Sequence, residues 1–352
     1  MNIYSLGINE EELNLYKNAE FKLARVISVN RESFIINDGT KEYFAKVTGN
    51  LMFSAESSLD FPTVGDFVYF QNFDVDSTAI IHKVLARKTL LTRKSPGKKI
   101  EFQLIAANVD FAIIIQSLDN DFNTNRLERY LIMVNEFNIK PVILLSKSDL
   151  LNSNEVEKIS DKVKNDNPEI LTYAFSSFND DIENLRQIFQ PKKTYCIIGS
   201  SGVGKTTFIN KLLGEDKFQT NEVRKRDSKG KHTTTSRQLV MLENGAMIID
   251  TPGMRELGNI SANDGIEKTF DEITSLMEQC QFSDCTHTVE KGCAILEAVK
   301  NNQISEKRYG NFMKLRKESQ YYERSYVEKR KRDKEFGKMI KSVLKEHKTR
   351  KR

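Results

Sequence analysis

The sequence predicts a multidomain protein with an N-terminal β-barrel, a central α/β domain and a C-terminal, mostly helical domain. About five short strand-like runs separated by turn signals precede residue 90, which is typical of a small barrel. Beyond Val109 the pattern changes to apolar strands alternating with amphipathic helices, which indicates an α/β unit. Cysteines and a histidine then cluster ahead of a long charged segment. We expect the domain boundaries at residues 1–90, 91–262 and 263–352.

The first domain is expected to begin with a helix from Glu10 to Glu20 and to continue as a barrel of the oligonucleotide-binding type, an OB-fold. The strand-like runs are Lys22 to Val29, Ser33 to Ile36, Tyr43 to Val47, Phe67 to Phe70 and Ala79 to Leu85. The tetrapeptide Asn37-Asp38-Gly39-Thr40 is a hairpin signal between the second and third runs. A basic connector from Arg87 to Lys99 leads into the central domain.

An apolar strand in the central domain, Pro141 to Leu145, is followed by the segment Ser146-Lys147-Ser148-Asp149. The Asp149 carboxylate can accept hydrogen bonds from N1–H and the exocyclic amine of guanine. Adenine offers no such pair of donors, so ATP would leave a charged acceptor unpaired, at a cost of several kcal/mol. The first residue of such segments is usually Asn or Thr, and here it is Ser146. This departure leaves the affinity for the nucleotide unpredicted, whereas the choice of base rests on Asp149. Alone, the segment also fits a surface turn.

Two serines that follow another short apolar run, Ser176 and Ser177, are candidate contacts to the guanine O6. Further along the chain, a glycine-rich loop lies between an apolar strand, Tyr195 to Ile198, and an apolar-periodic helix that stops at Gly214. The loop matches G-x-x-x-x-G-K-Ser/Thr and consists of Gly199, Ser200, Ser201, Gly202, Val203, Gly204, Lys205 and Thr206, with Thr207 following.

The flanking strand and helix favour a phosphate-binding loop over a chance glycine-rich turn. Its backbone N–H groups and the helix N-terminus are suited to anionic phosphates. We expect Lys205 at the β and γ phosphates and the Thr206 hydroxyl on Mg²⁺. Because the base-reading segment precedes the phosphate loop, in the reverse of the ordinary order, the sequence predicts a circularly permuted P-loop GTPase domain.

Two later segments are expected to respond to the γ-phosphate. The strand Ile248 to Asp250 continues into D-x-x-G, in which Asp250 can hold Mg²⁺ through water and the Gly253 N–H can reach the phosphate. The loop Thr233–Thr235 can bring a hydroxyl to Mg²⁺. Thr234 is the candidate ligand, although the sequence does not distinguish the three threonines.

Methionine occupies the position, Met254, at which many GTPases carry a glutamine that orients water. His232 is therefore the candidate catalytic group that positions the attacking water, together with Lys205 at the phosphates. A solvated loop histidine is the alternative, as is a catalytic group supplied in trans by a partner.

Three cysteines and one histidine, Cys280, Cys285, His287 and Cys293, follow the pattern C-x4-C-x-H-x5-C. Three thiolates and an imidazole complete a tetrahedral shell, which predicts one structural Zn²⁺ and leaves no open position for catalysis. Reduced core cysteines or disulfides are the alternatives. The absence of a signal peptide and the intracellular composition disfavour disulfides. The fourth cysteine, Cys196, lies in an apolar strand and is expected in the core.

The net charge of +5 is unevenly distributed. The segment Ser305 to Arg352 contains 18 Lys/Arg and 7 Asp/Glu, a net charge of +11, so the rest of the chain carries −6. Such runs are often solvated helix faces, but beside a zinc module this one favours a nucleic-acid surface. No segment has the length and hydrophobicity of a membrane span, so we expect a cytoplasmic protein without membrane contact. The lack of an exposed heptad favours a monomer.

In combination these motifs resemble the RsgA (YjeQ/YloQ) family of circularly permuted GTPases. The resemblance spans residues 20–320 and rests on Ala107-Asn108-Val109-Asp110, S-K-S-D, GSSGVGKTT, GKHTTT, DTPGMRE and CQFSDCTHTVEKGCAI. It implies a GTP hydrolase that acts in late maturation of the 30S subunit, binds 16S rRNA and is stimulated by that subunit. It also implies one structural zinc and a catalytic role for His232. Ser146 and the long basic tail depart from the family pattern.

Two other functional classes are alternatives to this one. A GTP-gated RNA-binding or assembly module with incidental hydrolysis is favoured by Met254 and the missing glutamine. A metal-dependent nuclease is disfavoured, because the cysteine shell is closed and no carboxylate cluster is evident in the sequence.

Overall fold

A computed structural model of the chain describes residues 2–16, 20–30, 33–73, 78–94, 102–178, 182–218, 237–250 and 262–321. The chain divides into two compact units, Met1–Ser95 with Glu101–Leu257, and Pro96–Ile100 with Gly258–Arg352. The barrel and the α/β domain share the first unit, so the boundary expected near residue 90 stays a prediction. None of the helices in the described ranges is both long and apolar enough to cross a membrane.

The N-terminal barrel has the five strands that the sequence predicts. They are β1 (Lys22–Val29), β2 (Phe34–Asn37), β3 (Glu42–Val47), β4 (Phe67–Phe73) and β5 (Thr78–Val84). Their order is β1-β2-β3-β5-β4, and the pairing of β1 with β4 closes the barrel. Alternate side chains point inward, so that residues such as Val26, Ile36 and Phe70 form an apolar core.

Two short helices accompany the barrel, α1 (Glu10–Leu15) and α2 (Gly49–Ser54). The predicted first helix was too long at its C-terminal end, because α1 stops where the Tyr16 N–H bonds to the carbonyl of Glu12. Its start is as predicted: Asn9 and Glu12 form a reciprocal capping box.

The α/β domain alternates strands and helices. Its strands are β8 (Phe111–Ser117), β9 (Lys140–Ser146), β10 (Thr172–Ala174), β11 (Thr194–Ile198), β12 (Arg237–Met241) and β13 (Met247–Asp250). Its helices are α3 (Thr124–Glu136), α4 (Ser153–Asp166), α5 (Ile182–Arg186) and α6 (Lys205–Leu213). The hairpin of β6 (Leu90–Lys94) and β7 (Phe102–Ala107) precedes them.

The six strands are ordered β10-β9-β8-β11-β13-β12, and only β12 runs antiparallel to its neighbour. The central strand β11, which carries the phosphate loop, lies between β8 and β13. Strand β9, which carries the base-reading segment, comes earlier in the chain. The topology confirms the predicted circularly permuted P-loop GTPase domain.

The barrel and the α/β domain form one continuous sheet. Ser28 and Val29 of β1 pair with Gln238 and Arg237 of β12. The fully buried side chain of Arg25, on β1, links the barrel strand to the α/β domain beside this junction. Its guanidinium donates to backbone carbonyls and to the Met247 sulfur, and the acceptors are Leu6 O at 2.6 Å, Gly65 O at 3.0 Å, Asn108 O at 3.2 Å and Met247 Sδ at 3.2 Å.

The second unit is mostly helical in its described part. Its helices are α7 (Asn263–Thr269), α8 (Asp271–Met277), α9 (Ala294–Lys300) and a helix over residues 306–321. Phe270 packs edge-on against Phe312, and Arg308 pairs with Glu272 at 2.7 Å. The loop between α8 and α9 contains the cysteine cluster.

Candidate nucleotide site and metal centre

The phosphate loop connects the buried strand β11 to helix α6. Gly202 and Gly204 have left-handed backbone conformations, φ 85° and 94°, which glycine adopts without strain. A Cβ at Gly199 would collide with the carbonyl of Ile115 on the neighbouring strand. The Lys205 ammonium group donates to the carbonyls of Gly199 at 2.8 Å and Ser200 at 2.5 Å. The loop therefore has the conformation that its motif predicts, with the lysine charge held across it.

The base-reading segment begins where β9 ends and is held by the segment after β10. The Ser148 N–H donates to the carbonyl of Phe175 at 3.2 Å. The Ser176 hydroxyl donates to Asp149 Oδ1 at 2.5 Å and accepts the Phe178 N–H at 3.0 Å. Because Ser176 takes one oxygen of Asp149, the rest of the carboxylate is oriented for another donor. The two segments that the sequence assigned to guanine are brought together.

Ser146 connects this segment directly to the phosphate loop. Its buried hydroxyl donates to the carbonyl of Val203 at 2.7 Å, with the Gln116 carbonyl as a longer acceptor at 3.3 Å. The Ser146 hydroxyl thus links the base-reading segment to the phosphate loop by a hydrogen bond. This contact gives the unusual first residue of the segment a structural role.

We predict that Ser146→Ala lowers the affinity for GDP about 5- to 10-fold, because the buried Val203 carbonyl loses its donor, at about 1 kcal/mol. Calorimetric titration with GDP measures the loss. Ser146→Thr keeps the hydroxyl and is the matched control. Equal affinities of the alanine variant and the unmodified protein would contradict this role.

Asp119, which sequence reasoning did not single out, fixes the second residue of the base-reading segment. Lys147 has a left-handed backbone, φ 60°, and its ammonium lies 2.8 Å from Asp119 Oδ2. Burial raises the pKa of Asp119, but hydrogen bonds from Lys147, Asp121 N–H and Ser117 outweigh it and bring the pKa to about 2. The carboxylate is therefore ionised at neutral pH. The only sequence feature that could have indicated Asp119 is its position just after β8, the strand that pairs with β9.

The γ-phosphate segments are described only in part. Asp250 ends β13 and pairs with Ile197 of β11, at the edge of the sheet where the phosphate loop begins. His232, Thr233–Thr235, Gly253 and Met254 lie outside the described residues. Asp250 thus lies beside the start of the phosphate loop, and its predicted role at Mg²⁺ stays a prediction, as do the roles of the others.

The four predicted zinc ligands come together in the second unit. Their ligand atoms all lie within 4.8 Å of one another. His287 Nδ1 is 3.6 Å from the sulfurs of both Cys280 and Cys293, and those sulfurs are 4.0 Å apart. A disulfide needs about 2.05 Å between its sulfurs. A tetrahedral zinc site with Zn–S bonds of about 2.3 Å has edges of about 3.8 Å, so the cluster fits zinc.

Neighbouring groups hold the ligand loop in shape. His287 has a left-handed backbone, φ 62°, and its carbonyl accepts the Tyr309 hydroxyl at 2.6 Å. The Glu290 carboxylate accepts the backbone N–H groups of Thr286 and Thr288, each at 2.9 Å. Neither Tyr309 nor Glu290 was predicted, because both act through backbone atoms that a ligand pattern does not reveal.

Two family models match the chain. The model of the RsgA GTPase family matches residues 84–260, which is half of the chain. A model described as ABC transporter matches residues 182–343. That range contains the phosphate-loop motif, which ATP- and GTP-binding proteins of this class share.

Curated relatives align over most of the chain. The small ribosomal subunit biogenesis GTPase RsgA 2 of Vibrio parahaemolyticus is 36% identical over 338 residues, 95% of this chain and 90% of that protein. The small ribosomal subunit biogenesis GTPase RsgA 1 of Listeria innocua is 41% identical over 307 residues, 85% of this chain and 84% of that protein.

Two solved structures are also similar. The crystal structure of YjeQ from Thermotoga maritima has a TM-score of 0.64 and 25% identity, covering 85% of this chain and 98% of that one. The structure of YloQ, a circularly permuted GTPase, has a TM-score of 0.61 and 22% identity, covering 87% of this chain and 97% of that one. Because the RsgA GTPase model matches half of the chain and relatives with 36% and 41% identity align over most of it, the chain belongs to the RsgA GTPase family.

Proposed function

We propose that this protein hydrolyses GTP to GDP and phosphate and assists late assembly of the 30S ribosomal subunit, where it binds 16S rRNA. The observation that carries the proposal is the hydrogen bond from Ser146 to the Val203 carbonyl, which joins the guanine-reading segment to the phosphate loop. This bond places Asp149, the candidate acceptor for guanine, and the phosphate loop in one site, which supports a guanine nucleotide as its ligand. The relatives named above are called small ribosomal subunit biogenesis GTPases, which supplies the ribosomal part.

The test is GTP turnover by the purified protein alone, with 30S subunits and with 50S subunits. We expect slow turnover alone and strong stimulation by 30S subunits only. Absence of stimulation by 30S subunits would contradict a subunit-triggered GTPase.

The predicted nucleotide contacts divide between the base and the phosphates. Asp149 reads the guanine edge, and the other base contacts are Ser146, Lys147, Ser148, Ser176 and Ser177. The phosphate contacts are the loop from Gly199 to Thr206, the following Thr207, and Asp250 and Gly253. Thr206, Thr234 and Asp250 would hold Mg²⁺, which neutralises charge on the β and γ phosphates.

Phosphoryl transfer needs little covalent help from a protein, so positioning and electrostatic stabilisation carry most of the catalysis. Lys205 is placed at the phosphate loop, where it can stabilise the charge that develops on the γ-phosphate. His232 orients the attacking water, and bound 30S subunits hold its loop in the competent arrangement.

We predict that His232→Ala leaves GDP affinity unchanged and lowers 30S-stimulated turnover about 100-fold, which is typical for loss of a group that assists proton transfer or orients water. His232→Gln is the matched comparison, because its amide can still orient water. Single-turnover hydrolysis on 30S subunits separates the chemical step from binding. Normal stimulated hydrolysis by the alanine variant would show that another group positions the water.

The cysteine cluster would hold one structural Zn²⁺ through Cys280, Cys285, His287 and Cys293. Four protein ligands close the coordination shell, so the ion supplies folding energy and no reaction step. The proposed functional domains are residues 1–90, 91–262 and 263–352, with the basic tail as part of an RNA-binding surface. We further propose that the protein acts as a monomer in the cytoplasm, where small subunits mature.

Along the chain, the segment after Asp250 leads directly to α7 and the zinc-binding loop. Nucleotide state can therefore be communicated to an RNA-binding module through adjacent sequence. We expect 30S affinity to differ between a non-hydrolysable GTP analogue and GDP. Equal affinities would exclude this switch without affecting the GTPase assignment.

A second candidate function is a GTP-gated assembly module whose hydrolysis is incidental. Met254 favours it, because a methionine cannot orient water. Turnover that stays slow with every ribosomal fraction, together with nucleotide-dependent 30S binding, would support it over the first proposal.

A further inference from the structure

Phe178 is an aromatic residue beside the base-reading segment whose side chain is 85% exposed. Large apolar side chains are usually withdrawn from water, because burial of their surface is favourable. A single exposed phenyl group at a predicted ligand site therefore raises the question of what covers it.

The backbone of Phe178 is fixed relative to Asp149. The Phe178 N–H donates to Ser176 Oγ at 3.0 Å, and the same hydroxyl donates to Asp149 Oδ1 at 2.5 Å. Since the two bonds share one oxygen, the Phe178 nitrogen lies within about 5.5 Å of the carboxylate. Ser176 itself is fully buried, which fixes this short chain of bonds.

The bound base presents two different kinds of surface. Its Watson–Crick edge carries the donors that Asp149 accepts, whereas its faces are π-surfaces that gain from an apolar or aromatic neighbour. Aromatic rings stack with their centroids about 4.5–7 Å apart, a distance that a phenylalanine at this position can span. The ammonium of Lys147 is paired with Asp119, and the base-reading segment Ser146-Lys147-Ser148-Asp149 contains no aromatic residue of its own.

We propose that Phe178 stacks on a face of the guanine base and completes the base pocket. The inference rests on the proposed function, since it takes Asp149 to read the guanine edge. Phe178 contributes affinity for the nucleotide, and Asp149 determines which base is bound. The alternative is that the surface of a partner protein covers the Phe178 ring. The experiment must distinguish this contact from stacking on guanine.

The chain contains no tryptophan, so Phe178→Trp introduces a single fluorescent reporter. We expect GDP to quench its emission, with a midpoint equal to the dissociation constant from calorimetry, because a stacked purine quenches an indole. Phe53→Trp is the matched control. Phe53 lies in α2 of the barrel and is 94% exposed, so its indole should not respond to GDP.

Phe178→Ala should lower the affinities for GDP and for GTP by the same factor, on the order of 10-fold. Phe178→Tyr should restore the affinity, and the preference for GTP over ATP should be unchanged in both variants. GDP affinity of Phe178→Ala within twofold of the unmodified protein, with a silent Phe178→Trp reporter, would overturn the inference. Loss of 30S stimulation at unchanged GDP affinity would overturn it in favour of a partner contact. If the unmodified protein binds no GDP, the proposed function itself fails.

Discussion

Replacing Asp149 with asparagine is expected to convert the site from guanine to xanthine nucleotides. Ser176 donates to Asp149 Oδ1 and will keep an acceptor oxygen at that position in the variant. The new amide NH₂ therefore faces the base. Guanine presents two donors there, so a donor meets a donor, whereas xanthine presents N1–H and a carbonyl acceptor.

We expect GDP affinity to fall about 100- to 10,000-fold, which is the range for sites whose buried polar groups lose their partners. Affinity for xanthosine diphosphate should rise above that for GDP. Calorimetric titration with each nucleotide measures the two affinities and so the change in base preference. Asp119→Asn is the comparison variant: it loosens Lys147 and can lower the affinity for both nucleotides, but it should leave the preference for GDP over xanthosine diphosphate unchanged. Unchanged GDP affinity in Asp149→Asn would show that this carboxylate does not read the base.

Removal of zinc is expected to unfold much of the second unit. Structural zinc in small domains contributes an apparent binding free energy of about 10–16 kcal/mol, and such domains commonly fold only with the metal. Three of the described helices of this unit, α7, α8 and α9, have only seven residues each, and α8 and α9 flank the ligand loop. Without the metal, the loop that joins them loses its cross-link.

Metal analysis should give one zinc per chain, and Cys293→Ala should lose the metal together with part of the helical circular dichroism. GDP affinity should stay within about twofold, because the predicted nucleotide contacts lie in the first unit. Cys196→Ala is the matched control: it also removes a buried thiol, but from β11, and should retain the zinc. A Cys293→Ala variant with full zinc content would remove this residue from the ligand set.

Local patterns predicted the parts of this molecule that depend on neighbours in sequence. The five barrel strands follow from alternation in runs such as Glu42–Val47, where every second side chain is buried. The phosphate loop follows from glycines whose positive φ angles no other residue adopts easily. The cysteine cluster follows from ligand spacing, because four ligands of zinc must converge within a few ångströms.

Contacts between distant parts of the chain were not predictable in the same way. Asp119 pairs with Lys147 because the parallel strands β8 and β9 end at the same edge of the sheet, which no sequence period reveals. The sequence does not distinguish Arg25 from an exposed polar residue of a strand. Its burial depends on hydrogen-bond acceptors that four separate segments of the chain supply. The role of Ser146 likewise depends on the proximity of β9 to the phosphate loop.

The pairing of β1 with β12 has a mechanical consequence for the barrel. Strand β12 starts at Arg237, a few residues after His232 in the sequence, and β13, its partner, ends at Asp250. Any displacement of β12 must carry β1 with it, because backbone hydrogen bonds join the two strands, and the buried Arg25 of β1 also bonds to Met247 of β13. A force on the barrel is therefore transmitted through β12 to β13, whose last residue, Asp250, lies where the phosphate loop begins.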